Sequence, residues 1–378
     1  MGEFSILYET CPHHSRAALF DDAGRLLSLS FDEPSRPYGT GAVVLGRVRA
    51  MVPALYAAFV DIGDTHDGFL PFSTIPKNVN ITEGQELLVR IARGSDSHKG
   101  AKLDARVAVK AGLVNGHKAP ALIQPQPNAL RRAIMDAGDT PVQVWVVDER
   151  FVPATAGIAP PERVHCLNKQ PENDLLGKLD EQLDLLGQHN FAFAGGMLTV
   201  DITKALTAID VDAGSLEGVR GSSREGGIRA LNLRAATEVV RLCSLLDLGG
   251  NVIVDFITMR NPQARKELQQ FLKDEFAQYD MAKVEIFPMS RFGLVEINRE
   301  RAGAMKPELL ATPAYVAGRI LLQLWRHVGG TPREVAAHPD VIEHLKKHLT
   351  TAACWAAFGT TVNFSVRKEW DVTKFAVS

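Results

Sequence analysis

Two short apolar runs that each end on an aspartate, with one long helical stripe between them, constrain this chain more than any other feature. The first reads Leu206-Thr-Ala-Ile-Asp-Val-Asp212 and the second Asn251-Val-Ile-Val-Asp-Phe-Ile257. Side chains alternate faces along a strand, so Ile209 and Val211 point into a core while Asp210 and Asp212 share the other side. In the second run Val252, Val254 and Phe256 take one face and Asp255 the other. Between them Leu231, Ala235, Val239, Leu242 and Leu246 recur with a 3.6-residue period, which predicts a helix ending near Gly249 and Gly250. A carboxylate beside so much apolar surface is costly unless it is paired, hydrogen-bonded or metal-bound. Aspartates at the ends of two strands joined by one helix are how α/β proteins build a divalent metal site. Magnesium suits it, because it takes one or two protein carboxylates and fills its shell with water and phosphate oxygens. Asp210, Asp212 and Asp255 are therefore the candidate catalytic set, and Asp210 and Asp255 the candidate metal ligands.

With 378 residues the chain exceeds one usual core, so two or three domains are expected. A net charge of −2 rules out a globally basic nucleic-acid binder, and any such affinity must come from local patches. Cys11, Cys166, Cys243 and Cys354 lack paired spacing, which points to reduced thiols and no zinc. No signal-like N-terminus and no long apolar run occur, so a cytoplasmic protein without membrane contact is expected. Gly-x-x-x-x-Gly-Lys-Ser/Thr, Gly-x-Gly-x-x-Gly and Gly-x-Ser-x-Gly are missing, which argues against P-loop, dinucleotide and α/β-hydrolase sites.

Strands are predicted at 4–8, 16–20 and 26–31, followed by short β segments at 43–49, 57–62, 68–72 and 86–92 whose even spacing suggests a small barrel. In Ala57-Ala-Phe-Val-Asp-Ile62 the core takes Ala58, Val60 and Ile62, leaving Phe59 outward. Phe69 is outward because Leu70 and Phe72 take the opposite face. Outward rings on a β surface can stack single-stranded bases. Arg47, Arg49, Lys99 and Lys102 can add phosphate contacts, or simply solvate the surface. Further on, the pattern predicts a strand at 142–147, a helix at 174–186 and a hairpin of 197–201 with 206–211. A glycine-rich loop at 213–227 carries Arg220 and Arg224, either as a phosphate clamp or as plain surface. Asn261 and Pro262 open another helix. Strands near 284–287 and 293–297, helices near 314–327 and 339–348, and a terminal strand pair complete the reading.

With these residues in view, the chain resembles the ribonuclease E/G family. The motifs that carry the likeness are Ala205-Leu-Thr-Ala-Ile-Asp-Val-Asp212, Leu246-Asp-Leu-Gly-Gly250, Val252-Ile-Val-Asp-Phe-Ile257 and Ser290-Arg-Phe-Gly-Leu-Val-Glu296 with Arg299 and Arg301. Ala57-Ala-Phe-Val-Asp-Ile-Gly63, Gly68-Phe-Leu-Pro71 and Lys99-Gly-Ala101 are similar to the family's S1 domain. The resemblance implies an α/β (α+β) multidomain protein: an RNase H-like scaffold at 1–38 and 109–194, an inserted S1/OB-fold barrel at 39–108, a DNase I-like catalytic subdomain at 195–311 and a small C-terminal α/β domain at 312–378. It implies an endoribonuclease that cuts single-stranded RNA with magnesium, or manganese in its place, leaving 5′-phosphate and 3′-hydroxyl ends. By motif position Asp210 and Asp255 hold the ion, Phe59, Phe69 and Lys99 bind RNA, and Lys283 sits near a phosphate.

Three departures from the family pattern stand out. Asp212 occupies a position where the family usually has asparagine, adding a third negative charge to one face. The Cys-Pro-x-Cys zinc link is missing after about residue 305, so a homodimer would have to form without it. Where the family has its pocket for a 5′-monophosphate, Val144-Trp-Val-Val-Asp-Glu149 ends in acids that would repel phosphate. These departures keep a rival open, an RNA-binding or ribosome-maturation protein that does not cut. A weaker one is hydrolysis of DNA or a small phosphodiester.

Overall fold

The computed structural model describes residues 3–11, 14–32, 38–95, 100–107, 112, 114–170, 172–214, 224–280, 282–300, 305–326, 333–349 and 361–378. It divides into two units, one of Met1–Asp32, Ala129–Glu300 and Met305–Ser378, the other chiefly Glu33–Asn128.

The chain opens with an antiparallel meander, β1 (Phe4–Cys11), β2 (His14–Phe20) and β3 (Leu26–Asp32), turned at Asp21–Gly24 where Gly24 has φ +76°. The second unit follows: β4 (Val43–Val52), β5 (Ala57–Asp61), β6 (Gly68–Pro71), β7 (Glu86–Arg93), β8 (Lys102–Asp104) and β9 (Ala121–Gln124). Their order is β5-β6-β8-β7-β4-β9, and β4 also pairs with β5, which closes a five-strand barrel with β9 added beside β4. Val44, Val48, Ala58, Val60, Ile62, Leu70, Val89, Ile91 and Leu103 fill it. The expected small barrel is present, as is the expected alternation of 57–62.

Back in the first unit, α1 (Ala129–Asp136) begins where Asp32, the last residue of β3, accepts hydrogen bonds from Ala129 N at 2.6 Å and Arg132 at 2.7 Å. β10 (Val142–Val146) and β11 (Val164–Cys166) then extend the meander as parallel neighbours, giving the order β11-β10-β1-β2-β3. α2 (Leu175–Leu186) buries Leu175, Leu179, Leu183 and Leu186 and is capped by Asp174, which accepts from Gly177 N.

The sheet that carries the aspartates is built from β12 (Asn190–Phe193), β13 (Gly196–Ile202), β14 (Thr207–Ala213), β15 (Gly250–Asp255), β16 (Val284–Ile286) and β17 (Leu294–Arg299), in the order β12-β13-β14-β15-β17-β16. α3 (Arg224–Leu245) links β14 to its parallel neighbour β15, and α4 (Pro262–Tyr279) links β15 to β16. Asn261 caps α4, its side chain accepting from Gln263 N at 2.9 Å, with Pro262 at the first helical position as expected. One face of the sheet is apolar: Leu198, Val200, Ile209, Val211, Val252, Val254, Val295 and Ile297 share a core with residues of α3 and α4. The other face is open to solvent. α3 begins at Arg224, so the last residues of the expected 213–227 loop are helical. Residues 215–223, with Arg220, lie outside the described residues.

The chain ends with α5 (Lys306–Leu310), α6 (Pro313–Arg326), β18 (Arg333–Ala337), α7 (Pro339–His348), β19 (Val362–Val366) and β20 (Phe375–Val377). The two terminal strands do not pair with each other. They flank β18, giving the order β19-β18-β20. β18 reads Arg-Glu-Val-Ala-Ala, too weak an alternation to be legible, and without it the last two strands look like a pair. α6 is fastened to β1 and β2 by buried charge: Glu9 accepts from Arg16 and from Arg326, each at 2.6 Å, and the arginine pair holds the Glu9 carboxyl at about 2 despite its burial.

Candidate active site

The open face of the six-stranded sheet brings together the three aspartates. Asp210 and Asp255 stand opposite each other in register on the parallel strands β14 and β15. Neighbouring strands lie about 4.8 Å apart, so the two carboxyl groups project side by side from adjacent backbones. Asp212 follows two residues later on the same face, and Ile209 and Val211 are buried beneath, as the alternation requires. The Asp210 carboxyl titrates above the usual aspartate range, first through partial burial and then through the like charges of Asp212 and Asp255. The Val211 backbone N–H opposes the rise. A site that raises a carboxyl in this way is short of positive charge. Among the described residues no three His, Cys, Asp or Glu side chains converge as metal ligands. An ion on this face would therefore take two protein carboxylates and leave its other positions to water and phosphate oxygens, which is the coordination magnesium accepts. The donor set fits a hard cation, with Asp212 acting through its charge.

The loop after Asp255 is pinned from several sides. Glu225, in the first turn of α3, accepts from Arg260 N at 2.8 Å and Asn261 N at 2.9 Å. The fully buried Asn232 of α3 donates to Ile257 O at 2.8 Å, and its Oδ1 has no partner. On the other side of Asp255 lies the turn 290–293, where Ser290 Oγ accepts from Phe292 N and Leu294 N, both at 3.2 Å, and Gly293 adopts φ +97°. This turn leaves Arg291 exposed and Phe292 80% exposed beside the carboxylate pair. The sequence motif Ser290-Arg-Phe-Gly by itself assigns Phe292 no role. The signal that would have found it is an aromatic inside a turn, where no core is available to take the ring.

On the barrel, Phe59 and Phe69 are directly opposite each other across β5 and β6, with ring centroids 6.0 Å apart in an edge-to-face arrangement. Both are half-buried on the outer surface, while Ala58, Val60 and Leu70 fill the interior. Lys102 of β8 sits opposite Phe69 and extends the row by one strand. Lys99 lies outside the described residues. Arg47 and Arg49 are ion-paired, to Glu86 at 2.6 Å and Asp61 at 2.5 Å, which favours their reading as a solvated, paired surface. Tyr56, next to β5, is 79% exposed and was missed, because a single tyrosine at a strand entrance carries no periodic signal.

The sequence model of the Ribonuclease E/G family matches residues 101–302, more than half of the 378 residues. The chain belongs to the ribonuclease E/G family. The model of the S1 RNA binding domain matches residues 38–106, the stretch that forms the barrel up to β8. Ribonuclease E of Haemophilus influenzae is 25% identical over an alignment covering 78% of this chain and 41% of that protein. Ribonuclease E of Escherichia coli is 26% identical over 83% of this chain and 38% of the relative. Ribonuclease G of Escherichia coli is 23% identical over 78% of this chain and 79% of its own length. The chain thus spans about two-fifths of the length of the ribonuclease E relatives.

Other residues singled out in this ribonuclease E/G family member fall elsewhere. Lys283 is exposed at the start of β16, and its carbonyl accepts from Glu300 N. In the ladder Asp255 pairs with Leu294, six residues from Glu300, so Lys283 stands about 20 Å along the strands from the aspartate pair. Arg299 is buried and held by Asp247 at 2.8 Å and Asp280 at 2.6 Å, a structural cross-brace. Asp148 is bound by Arg150, which keeps its carboxyl below the usual range, and Glu149 pairs with Lys169. No helix among the described residues is long and apolar enough to cross a membrane.

Proposed function

We propose that this protein is a magnesium-dependent endoribonuclease that hydrolyses phosphodiester bonds of single-stranded RNA in cytoplasmic RNA processing or decay, leaving 5′-phosphate and 3′-hydroxyl ends. The observation that carries the reading is the register of Asp210 with Asp255 on an open, solvent-facing sheet. Asp210 and Asp255 present carboxylates that would hold a divalent cation, which when bound would supply positive charge against the phosphodiester. Manganese can take the same oxygen donors. Water adds to phosphorus and the bond to the 3′-oxygen breaks, that oxygen leaving with a proton. The pinned loops 256–261 and 290–293 keep Asp255 in place, so little reorganisation is needed on binding. Phe292 and Arg291 offer a ring and a cation beside the scissile bond. Phe59 and Phe69 bind RNA on the barrel by stacking on bases, and Lys99 contributes a phosphate contact.

The test is cleavage of an unstructured RNA with magnesium by wild type and Asp210→Asn. Equal rates would remove this site from the reaction. A second reading, an RNA-binding or ribosome-maturation protein that does not cut, is favoured by the charge of Asp212 crowding Asp210. Tight RNA binding without magnesium and without product would decide for it.

A further inference from the structure

The open face that carries Asp210 and Asp255 has a second feature at the opposite end of the same strands. A concavity of about 340 Å³ is floored by β15, β17 and β16 and edged by Leu206. That volume is at the small end of ligand pockets, which run from about 300 to 1,000 Å³, so it suits a planar ring rather than a large cofactor. Its polar wall is one row across three strands, Asn251 opposite Asn298 and Asn298 opposite Glu285. Asn298 Nδ2 donates to Asn251 Oδ1 at 2.9 Å, which leaves Asn298 Oδ1 as an acceptor and Asn251 Nδ2 as a donor. The next row sets Glu296 opposite Ile253, with Phe287 N donating to Glu296 O. Phe287 is 43% exposed, an aromatic ring held at the surface with no core to fill. Neither Glu285 nor Glu296 has a cationic side chain within ion-pair distance among the described residues.

Two carboxylates without a cationic partner among the described residues repel phosphate, so this hollow is not built for the RNA backbone. They do accept from N–H groups on a ring edge, and the adjacent N1–H and 2-amino donors of guanine match the two oxygens of one carboxylate. Uracil presents mainly carbonyl oxygens there. Single-stranded RNA is read in this manner, with a base stacked on an aromatic side chain and its edge hydrogen-bonded. Asn251 precedes Asp255 by four residues on β15, about 13 Å at the strand rise, a span of a few nucleotides. Lys283, two residues before Glu285, stands at the same edge to meet a phosphate. We propose that this hollow is a base-specific subsite for single-stranded RNA that prefers guanine, stacks it on Phe287, accepts from it with Glu296 or Glu285, and fixes the distance from that base to the cut. The offset rests on the nuclease reading above, whereas the base preference does not.

The experiment uses the full chain and labelled oligouridines of one length that carry a single guanosine, adenosine or cytidine, or none. Binding is read by fluorescence anisotropy without metal, and cleavage positions are mapped with magnesium. The wild type is expected to bind the guanosine oligomer about tenfold more tightly than plain oligouridine, and to cut at one constant offset from it. Phe287→Ala and the conservative double replacement Glu285→Gln with Glu296→Gln should each reduce that preference to within about threefold, with thermal unfolding unchanged because all three positions are exposed. Equal wild-type binding of all four oligomers, or a preference that survives in both variants, overturns the subsite. Preference in binding without any cleavage upholds the subsite and defeats the nuclease reading. Cleavage without preference does the reverse.

Discussion

Gly293 lies directly against Asp255: a β-carbon built on Gly293 would stand 2.5 Å from Phe256 O and 3.5 Å from Asp255 Oδ1. With φ at +97° the position also sits where side chains with a β-carbon are strained. The turn can close on the aspartate only because nothing projects from it.

Gly293→Ala should therefore damage the site more than the fold. Strain from the left-handed backbone costs about 1–2 kcal/mol, visible as a lower urea midpoint. The clash with Phe256 O must push the turn or the end of β15 away, so manganese affinity measured by calorimetry should fall at least about tenfold. An affinity equal to wild type would mean that the turn does not set the position of Asp255.

The three aspartates should separate by function. Asp210→Asn and Asp255→Asn each remove a ligand and should lower the cleavage rate by about 100-fold or more, the usual loss when one element of transition-state charge stabilisation is deleted. Asp212→Asn keeps both ligands and removes only a neighbouring charge that raises Asp210. It should change the magnesium concentration needed for half-maximal rate by a few fold and leave the maximal rate within the same order. A rate loss at Asp212 as large as at Asp210 would make it a third ligand.

The strand-end aspartates were legible because alternation is local: Ile209 and Val211 in the core force Asp210 and Asp212 out, and nothing tertiary is needed to see it. The pairing of Asp210 with Asp255 was only suggested, since register is decided between strands. The Asn261-Pro262 cap and the core alternation of 57–62 were equally readable from a few neighbouring residues. What escaped depends on distant partners. β18 has three small or aliphatic residues that mark a strand only once β19 and β20 flank it. Arg299 reads only as part of the family-like motif until Asp247 and Asp280, 52 and 19 residues away, are seen to enclose it.

The barrel row predicts a graded loss. Phe59→Ala or Phe69→Ala should weaken binding of an unstructured oligonucleotide by about 1–3 kcal/mol per lost base stack, and the double variant by less than the sum, because the rings touch. Anisotropy titrations at one fixed salt concentration measure it. Unchanged affinity in the double variant, with the barrel still folded by circular dichroism, would remove the rings from RNA contact.

Arg299 predicts a purely structural effect. Removing it strands the Asp280 carboxylate, which has 2% of its side chain exposed, and a broken buried pair of this kind costs about 3–5 kcal/mol. Arg299→Leu should lower the melting temperature sharply. Adding Asp280→Asn should recover part of the loss, since the uncompensated charge goes with it. No recovery would place the cost in packing.

The buried His14 gives the protein an acid-sensitive joint between β2 and α6. Its ring stacks on Phe31, meets Tyr315 edge-on, and has an unpartnered Nε2. Burial first, and the Arg16 charge second, lower its pKa from 6.5 to about 4, against the opposing pull of Asp32 and Glu9. The unfolded chain takes up this proton near pH 6.5 and the folded chain only near pH 4, so the unfolded state binds more protons throughout that window. Stability accordingly falls as pH drops from 6.5 to 4, by about 2 kcal/mol at pH 5 from this residue alone. Glu9, lowered from 4.5 to about 2, adds little to the change down to pH 5, because its stabilising contribution is lost only as pH falls from about 4.5 toward 2. Urea unfolding followed by tryptophan fluorescence at pH 7.5 and pH 5 should show the difference, and His14→Gln should remove most of it. An equal pH dependence in wild type and His14→Gln would assign the acid sensitivity to another group.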